Sequence, residues 1–145
     1  MDLSGLKWPI IILVVVVVGW LMSSGGVNWM EKSFTKSVPG QDEKRDISDE
    51  AGLSRLGGYC MYLFRYERAA GIFEKALERY PEGANYYYNK YCLARCYEKM
   101  DRFQDSYDIL LELIAENPSA VDKRVNNNDI LNLRAQKLKE VHNLQ

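Results

Sequence analysis

The sequence has one histidine, three cysteines and four prolines, and no charged side chain at all between Trp8 and Met30. His142 stands alone near the C-terminus, and acid–base catalysis needs a positioned neighbour as well as a titratable ring. Cys60, Cys92 and Cys96 are odd in number and form no CxxC pair, so they do not make a disulfide framework. Cys92 and Cys96 fall one turn apart on one helix, where disulfide geometry is seldom reached; all three read as small packing residues. GxSxG, HExxH and a phosphate-cradling glycine loop are all missing. Gly25-Gly26 and Gly57-Gly58 are too short to serve as one. The acidic pairs Asp49-Glu50 and Asp105 with Asp108 read as solvated helix faces. No catalytic residues, metal ligands or cofactor site are therefore expected, and the chain is not expected to be an enzyme. Lys and Arg number 19 against 20 Asp and Glu. That balance gives no strong overall field for nucleic acid.

The residues present divide into two regimes. Trp8 to Met22 carries a dense block of Ile, Val and Leu, and the uncharged stretch to Met30 is about 23 residues, or roughly 35 Å as one helix. A hydrocarbon core is about 30 Å thick, so residues 1–30 are expected to form a transmembrane anchor touching lipid through residues 8–30. A lone span satisfies its backbone only as helix, and Pro9 near the start costs little there. Trp8 and Trp29, roughly 31 Å apart on a continuous helix, would mark the two interfaces. The apolar run could also end near Met22, with Ser23-Ser24-Gly25-Gly26 already in the headgroup region. A cleaved signal peptide is the competing reading, with Lys7 as its charged region and Ser24-Gly25-Gly26 as a small-residue site. The long apolar core and the missing A-x-A favour an uncleaved, single-pass anchor. Sidedness stays open. Lys32, Lys36, Lys44 and Arg45 pull the C-terminal domain toward the cytoplasm, whereas the short, singly basic N-tail suits export. The balance leans slightly to an exported or periplasmic domain. Residues 31–46, with Pro39-Gly40, read as a tethering linker.

From Asp46 the apolar residues recur at helical period. Leu53-x-x-Leu56-Gly57, then Tyr66-x-x-Ala69-x-x-x-Phe73-x-x-Ala76, closes at Pro81. The order then repeats: Leu93-Ala94, then Phe103, Ser106, Leu110 and Leu113, closing at Pro118, at an offset of about 37 residues against the usual 34. This resembles the tetratricopeptide repeat family. Gly57 and Ala69 are small where two helices approach, Phe73 fills the space between repeats, and Pro81 stops a helix. Leu113, bulkier than the usual Ala, departs from the pattern. The expected fold is all-α: an N-terminal transmembrane helix, then a two-repeat superhelix over residues 47–145 with a C-terminal capping helix. Repeats are expected over about 50–83 and 87–120. The expected helices are 48–63, 67–79, 84–99, 102–116 and a cap at 129–143 started by Asp129. Two repeats and a cap form a minimal core, so self-association or a partner would help it.

The resemblance implies a protein-binding groove lined by the first helix of each hairpin. Carried onto this sequence, the groove positions are Ser54, Arg55, Gly58, Met61 and Tyr62, then Tyr88, Tyr91, Cys92, Arg95 and Glu98. Of these, Arg55, Tyr62, Tyr88, Tyr91 and Arg95 are the expected contacts, since Tyr and Arg are favoured at binding hot spots. Tyr86 and Tyr87 read as inter-helix packing. Family members that clamp a chaperone tail use Lys and Asn where this chain has Ser54, Gly58 and Cys92, so that role is not expected. The expected function is a membrane-tethered adaptor or assembly factor holding a polypeptide partner. The alternative is an accessory subunit of a membrane complex, although the featureless span lacks a GxxxG for close helix packing.

Overall fold

The structure, a computed structural model, describes residues 4–144, and among them it contains helices and no strand. Residues 1–3 of the expected anchor and Gln145 lie outside the described residues. Seven α-helices run in order: α1 Ser4–Met22, α2 Ser24–Phe34, α3 Glu43–Tyr62, α4 Tyr66–Arg79, α5 Tyr86–Lys99, α6 Phe103–Glu116 and α7 Asn128–His142. A short 3₁₀ turn, Pro118–Ala120, comes after α6. The chain divides into two compact units, Met1–Lys36 and Ser37–Gln145.

In the first unit the long uncharged stretch is two helices rather than one. The chain breaks at Ser23, whose hydroxyl donates to the Trp20 carbonyl at 2.5 Å and accepts from the Gly26 amide at 3.3 Å. Such local bonds offer the backbone an alternative to continued helix. Gly26 makes the sharp turn possible, because a Cβ there would sit 2.4 Å from the Trp20 carbonyl oxygen. α1 and α2 meet at 70°. The expected placing of Trp8 and Trp29 at opposite ends of one rod is thereby overturned: the Trp29 ring folds back to within 5.9 Å of Trp20. No single helix is long and apolar enough to cross a membrane, while α1 and α2 taken as a bent pair meet that test of length and composition. The side chains from Ile10 to Val18 on α1 are all exposed.

The second unit begins ordered. The Ser37 hydroxyl donates to Asp49, Arg79 Nη2 donates to the Ser37 carbonyl at 2.5 Å, and the amide of Gly40 donates to Asp46 Oδ2 at 2.7 Å. Gly40 has φ +87°, open only to glycine without strain. Asp42 caps α3, accepting from the amides of Lys44 and Arg45, so α3 starts five residues before the expected 48. Asp49 and Glu50 are buried, not solvated. Glu50 Oε1 accepts the Asn85 amide at 2.7 Å and so supports the start of α5 from across the fold. A Cβ on Gly83 would lie 2.2 Å from that same oxygen, which explains a glycine in this loop.

The two hairpins are the same structure built twice. In the first, the amides of Phe64 and Arg65 close on the carbonyls of Met61 and Cys60; in the second, those of Asp101 and Arg102 close on Glu98 and Tyr97. Phe64 and Asp101 occupy the left-handed region, at φ 58° and 59°. Tyr80 and Asn117 end α4 and α6 on the carbonyls of Ala76 and Leu113. Every pair is separated by the spacing read from the side chains alone. Consecutive helices from α3 to α7 pack in sequence order. Gly57 lies close against the Phe73 ring in the first hairpin, and Ala94 and Leu110, both fully buried, take the corresponding positions in the second. The terminal helix seats Leu131, Ala135 and Leu138 on a core with Leu110, Leu113 and Val125. Its cap is Asn127, whose Oδ1 accepts the Ile130 amide at 3.0 Å; the expected cap, Asp129, lies inside the first turn.

Phe64 is the costly element of the first turn. A bulky residue in the left-handed region costs about 1–2 kcal/mol, and this ring is 79% exposed, so packing returns little. Phe64→Gly is expected to stabilise the domain by about 0.5–1 kcal/mol after the extra entropy of glycine, read as a higher denaturant midpoint.

Candidate binding groove

The inner faces of α3 and α5, with α7 and the loop before it, enclose two adjoining hollows. One, of about 280 Å³, lies between Met61, Tyr62, Tyr88, Arg95, Lys99 and Arg134. The other, of about 490 Å³, runs past Ser54, Arg55, Asn85 and Arg124. Gly58 and Tyr88 line both, so the hollows join into one groove. Gly58 has nothing within 4 Å of where its Cβ would stand; the absent side chain leaves the junction open.

Two ion pairs frame the groove. Arg134 Nε donates to Glu98 Oε1 at 2.7 Å, binding α7 to α5. Arg124 is held by both oxygens of Asp122, at 2.6 to 3.2 Å, and also donates to Asn85 Oδ1 at 2.9 Å. Its guanidinium lies 4.5 Å from the centre of the Tyr88 ring, a stacking that holds both side chains at the junction. Hydrogen bonding from Arg124 keeps the Asp122 carboxyl below its ordinary range, against the opposing effect of burial. A depressed carboxylate stabilises the fold fully above its unfolded value of about 3.9, and that contribution is lost as pH falls through the lower folded value. Arg124→Ala should therefore narrow the acid stability range. The check is the pH midpoint of acid unfolding, expected to rise in the variant.

Of the expected contacts, Arg55, Tyr62 and Arg95 are exposed and Tyr88 is half-buried, all four on the groove. Tyr91 is not. It is 9% exposed and packs in the core with Tyr107, Leu110 and Leu131. Toward the groove side its hydroxyl accepts from Asn126 Nδ2 at 2.9 Å and Arg134 Nη1 at 3.4 Å, and its ring lies 5.6 Å from the Arg134 guanidinium and 6.0 Å from that of Arg95. Its position one turn beyond Tyr87 places the ring against α6 and α7, which is what an aromatic on a two-sided helix does when both neighbours are present. Ser54 and Cys92 are buried in the groove floor. Tyr86 and Tyr87 meet edge to face at 5.4 Å, and Tyr87 packs on the core shared by α5, α6 and α7. His142 stacks on Phe103, ring centres 3.5 Å apart.

Burial pushes the Cys92 thiol up, with the Tyr88 hydrogen bond opposing it, and pushes the Cys96 thiol up to about 12. Both thiols are protonated at neutral pH, and a thiol in that state is a poor nucleophile. Ala51, Tyr66, Asn85, Lys99, Arg124 and Arg134 line the groove without having been anticipated; Arg124 and Arg134 come from the loop and helix after the second hairpin. Their partners lie far away in sequence, so no local pattern marks them.

A third hollow, of about 560 Å³, lies apart from the groove between Pro39, Glu43, Ile47, Arg79 and Gly83. Its size does not make it the better site, because Glu50, on its wall, is already committed to the Asn85 amide.

The turns, the glycine–phenylalanine contact and the open inner face together describe a helical repeat, and comparison with known families agrees. Residues 55–83 match the tetratricopeptide repeat family model. Comparison with curated proteins and with solved structures returns no match. The matched segment is the end of α3 with all of α4, which is thus similar to a tetratricopeptide-type repeat, and the second hairpin repeats its turn hydrogen bonds. Tetratricopeptide repeats generally mediate protein–protein interaction and are typically not enzymes.

Proposed function

We propose that this chain is a membrane-tethered scaffold that holds a polypeptide partner in the groove of α3, α5 and α7. The observation that carries this reading is the groove itself: an open hollow whose walls present Arg55, Tyr62 and Arg95 to solvent. The family to which the first hairpin is similar uses its inner face in this way. Tethering would raise the effective concentration of partner and groove, so a modest intrinsic affinity would suffice. The anchoring part rests on the exposed apolar surface of α1, including Trp8 at 71% exposure. Such a helix, left in water, would be a strong aggregation site. The uncharged part of α1 alone spans roughly 22 Å, short of a hydrocarbon core, so α2 is proposed to complete the anchor at the interface with Trp20 and Trp29 together.

Two measurements test this. Membranes from cells making the full chain should retain it through alkaline carbonate washing; release into the supernatant removes the tether. The chain solubilised in mild detergent should carry a polypeptide in fixed proportion, and Arg55→Ala with Arg95→Ala should lose it. Undiminished capture by that variant removes the groove from partner binding.

A further inference from the structure

We propose that the occupant of the groove is an acidic polypeptide segment carrying an apolar or aromatic residue beside its carboxylates. This deepens the reading of the groove as a protein-binding site and rests on it. Uncompensated charge in the groove points to such an occupant. Five cations reach the groove walls: Arg55, Arg95, Lys99, Arg124 and Arg134. Asp122 takes up Arg124, and Glu98 takes up Arg134. Arg55, Arg95 and Lys99 make no ion pair among the described residues and are exposed. The groove thus keeps an excess of three positive charges in a chain whose net charge is −1.

Two of the three uncompensated groups are guanidiniums, whose planar forks match carboxylates bidentately. Arg95 lies 6.0 Å from the buried Tyr91 ring, in the reach of cation–π attraction. The cationic field at this point is felt locally, since Arg95 opposes the rise of the thiols of Cys92 and Cys96. Beside the charges stand Met61 and Tyr62, the latter 82% exposed. Tyr66 lines the same hollow, and Phe64 meets it edge to face at 6.3 Å from outside the groove. A concave, helix-walled slot with adjoining cationic and aromatic surfaces fits an extended or helical peptide. A planar headgroup surface would meet only its rim, and a nucleic-acid backbone would ask for a longer basic track than three residues.

The test uses the full chain in uncharged detergent micelles and three fluorescent peptides of about 15 residues, a length that fills a groove of this kind. They share Leu and Tyr positions and differ only in the polar ones: Glu and Asp, their amides Gln and Asn, or Lys. The acidic peptide should bind at least about tenfold more tightly than its amide counterpart, with the advantage shrinking as salt is added. Arg55→Glu, Arg95→Glu and Lys99→Glu together should invert the preference toward the lysine peptide. All three positions are exposed, so the helical signal should not change. Equal binding of the acidic and amide peptides, lost on Tyr62→Ala, overturns the acidic occupant and leaves the groove reading standing. Binding of none of the peptides, or binding indifferent to every groove substitution, overturns both. A charge-reversible preference for anionic vesicles or a DNA oligonucleotide over the acidic peptide overturns the proposal in favour of that ligand.

Discussion

Gly57→Ala is expected to destabilise the protein by about 1–3 kcal/mol, the usual cost of forcing an extra carbon into a packed interior. On an exposed helix the same change would stabilise it, because alanine is the better helix former by about 1 kcal/mol. The sign is set by Phe73. A Cβ on Gly57 would lie 2.7 Å from two carbons of that ring, and Phe73 is fully buried, so the ring has nowhere to go. Phe73→Ala should cost more, about 3–5 kcal/mol, through lost burial and the cavity left behind. The two changes share one contact and cannot be additive. In the Phe73→Ala background, Gly57→Ala fills part of the space and should cost nothing or recover stability. Equilibrium unfolding of the four proteins measures this directly, and additive costs would show that the two helices do not meet here.

Tyr91→Ala and Arg95→Ala sit one turn apart on α5 and should fail in different ways. Truncating Tyr91 empties a core position shared by α5, α6 and α7 and strips Asn126 and Arg134 of a hydrogen-bond acceptor. A loss of about 3–5 kcal/mol is expected, in the range for buried aromatics, with partner capture falling only as the folded fraction falls. Arg95→Ala removes an exposed side chain, and its stability should change by less than about 0.5 kcal/mol. Its effect on partner capture should be that of a hot spot, about 2 kcal/mol or roughly thirtyfold. Thermal unfolding and pull-down on the same preparations separate the two outcomes. A stable Tyr91→Ala protein would move that ring out of the core, and full capture by Arg95→Ala would remove the guanidinium from the binding face.

The hairpins were legible in the sequence because helix contacts in a repeat leave a local mark. A small residue stands wherever two backbones approach, as at Gly57, Ala69 and Ala94, and a proline stands where each second helix ends. The bend at Ser23 was not legible in the same way. The end of the apolar run at Met22 marks the place, but the turn itself comes from a serine folding back onto its own backbone and a glycine tolerating a carbonyl at close range, which hydropathy does not record. Asn127 displaced Asp129 as the cap because cap choice depends on where the chain enters the helix, and three consecutive asparagines leave that undetermined. Tyr91 reads as a surface aromatic until α7 is laid beside it. Arg124 and Arg134 enter the groove only through partners on other elements, Asn85 and Glu98. Tyr91, Arg124 and Arg134 were thus hidden because contacts between distant elements set them, while the bend at Ser23 and the cap at Asn127 rest on local bonds that several neighbouring residues could make.

The most direct test places a photoreactive residue at Arg95 in the full-length chain in living cells, with a matched probe at Glu78 on the exposed side of α4. Irradiation should join a polypeptide to the chain from position 95 and not from position 78. Equal products from both sites, or none from position 95 while the chain stays folded, would contradict a polypeptide held in the groove.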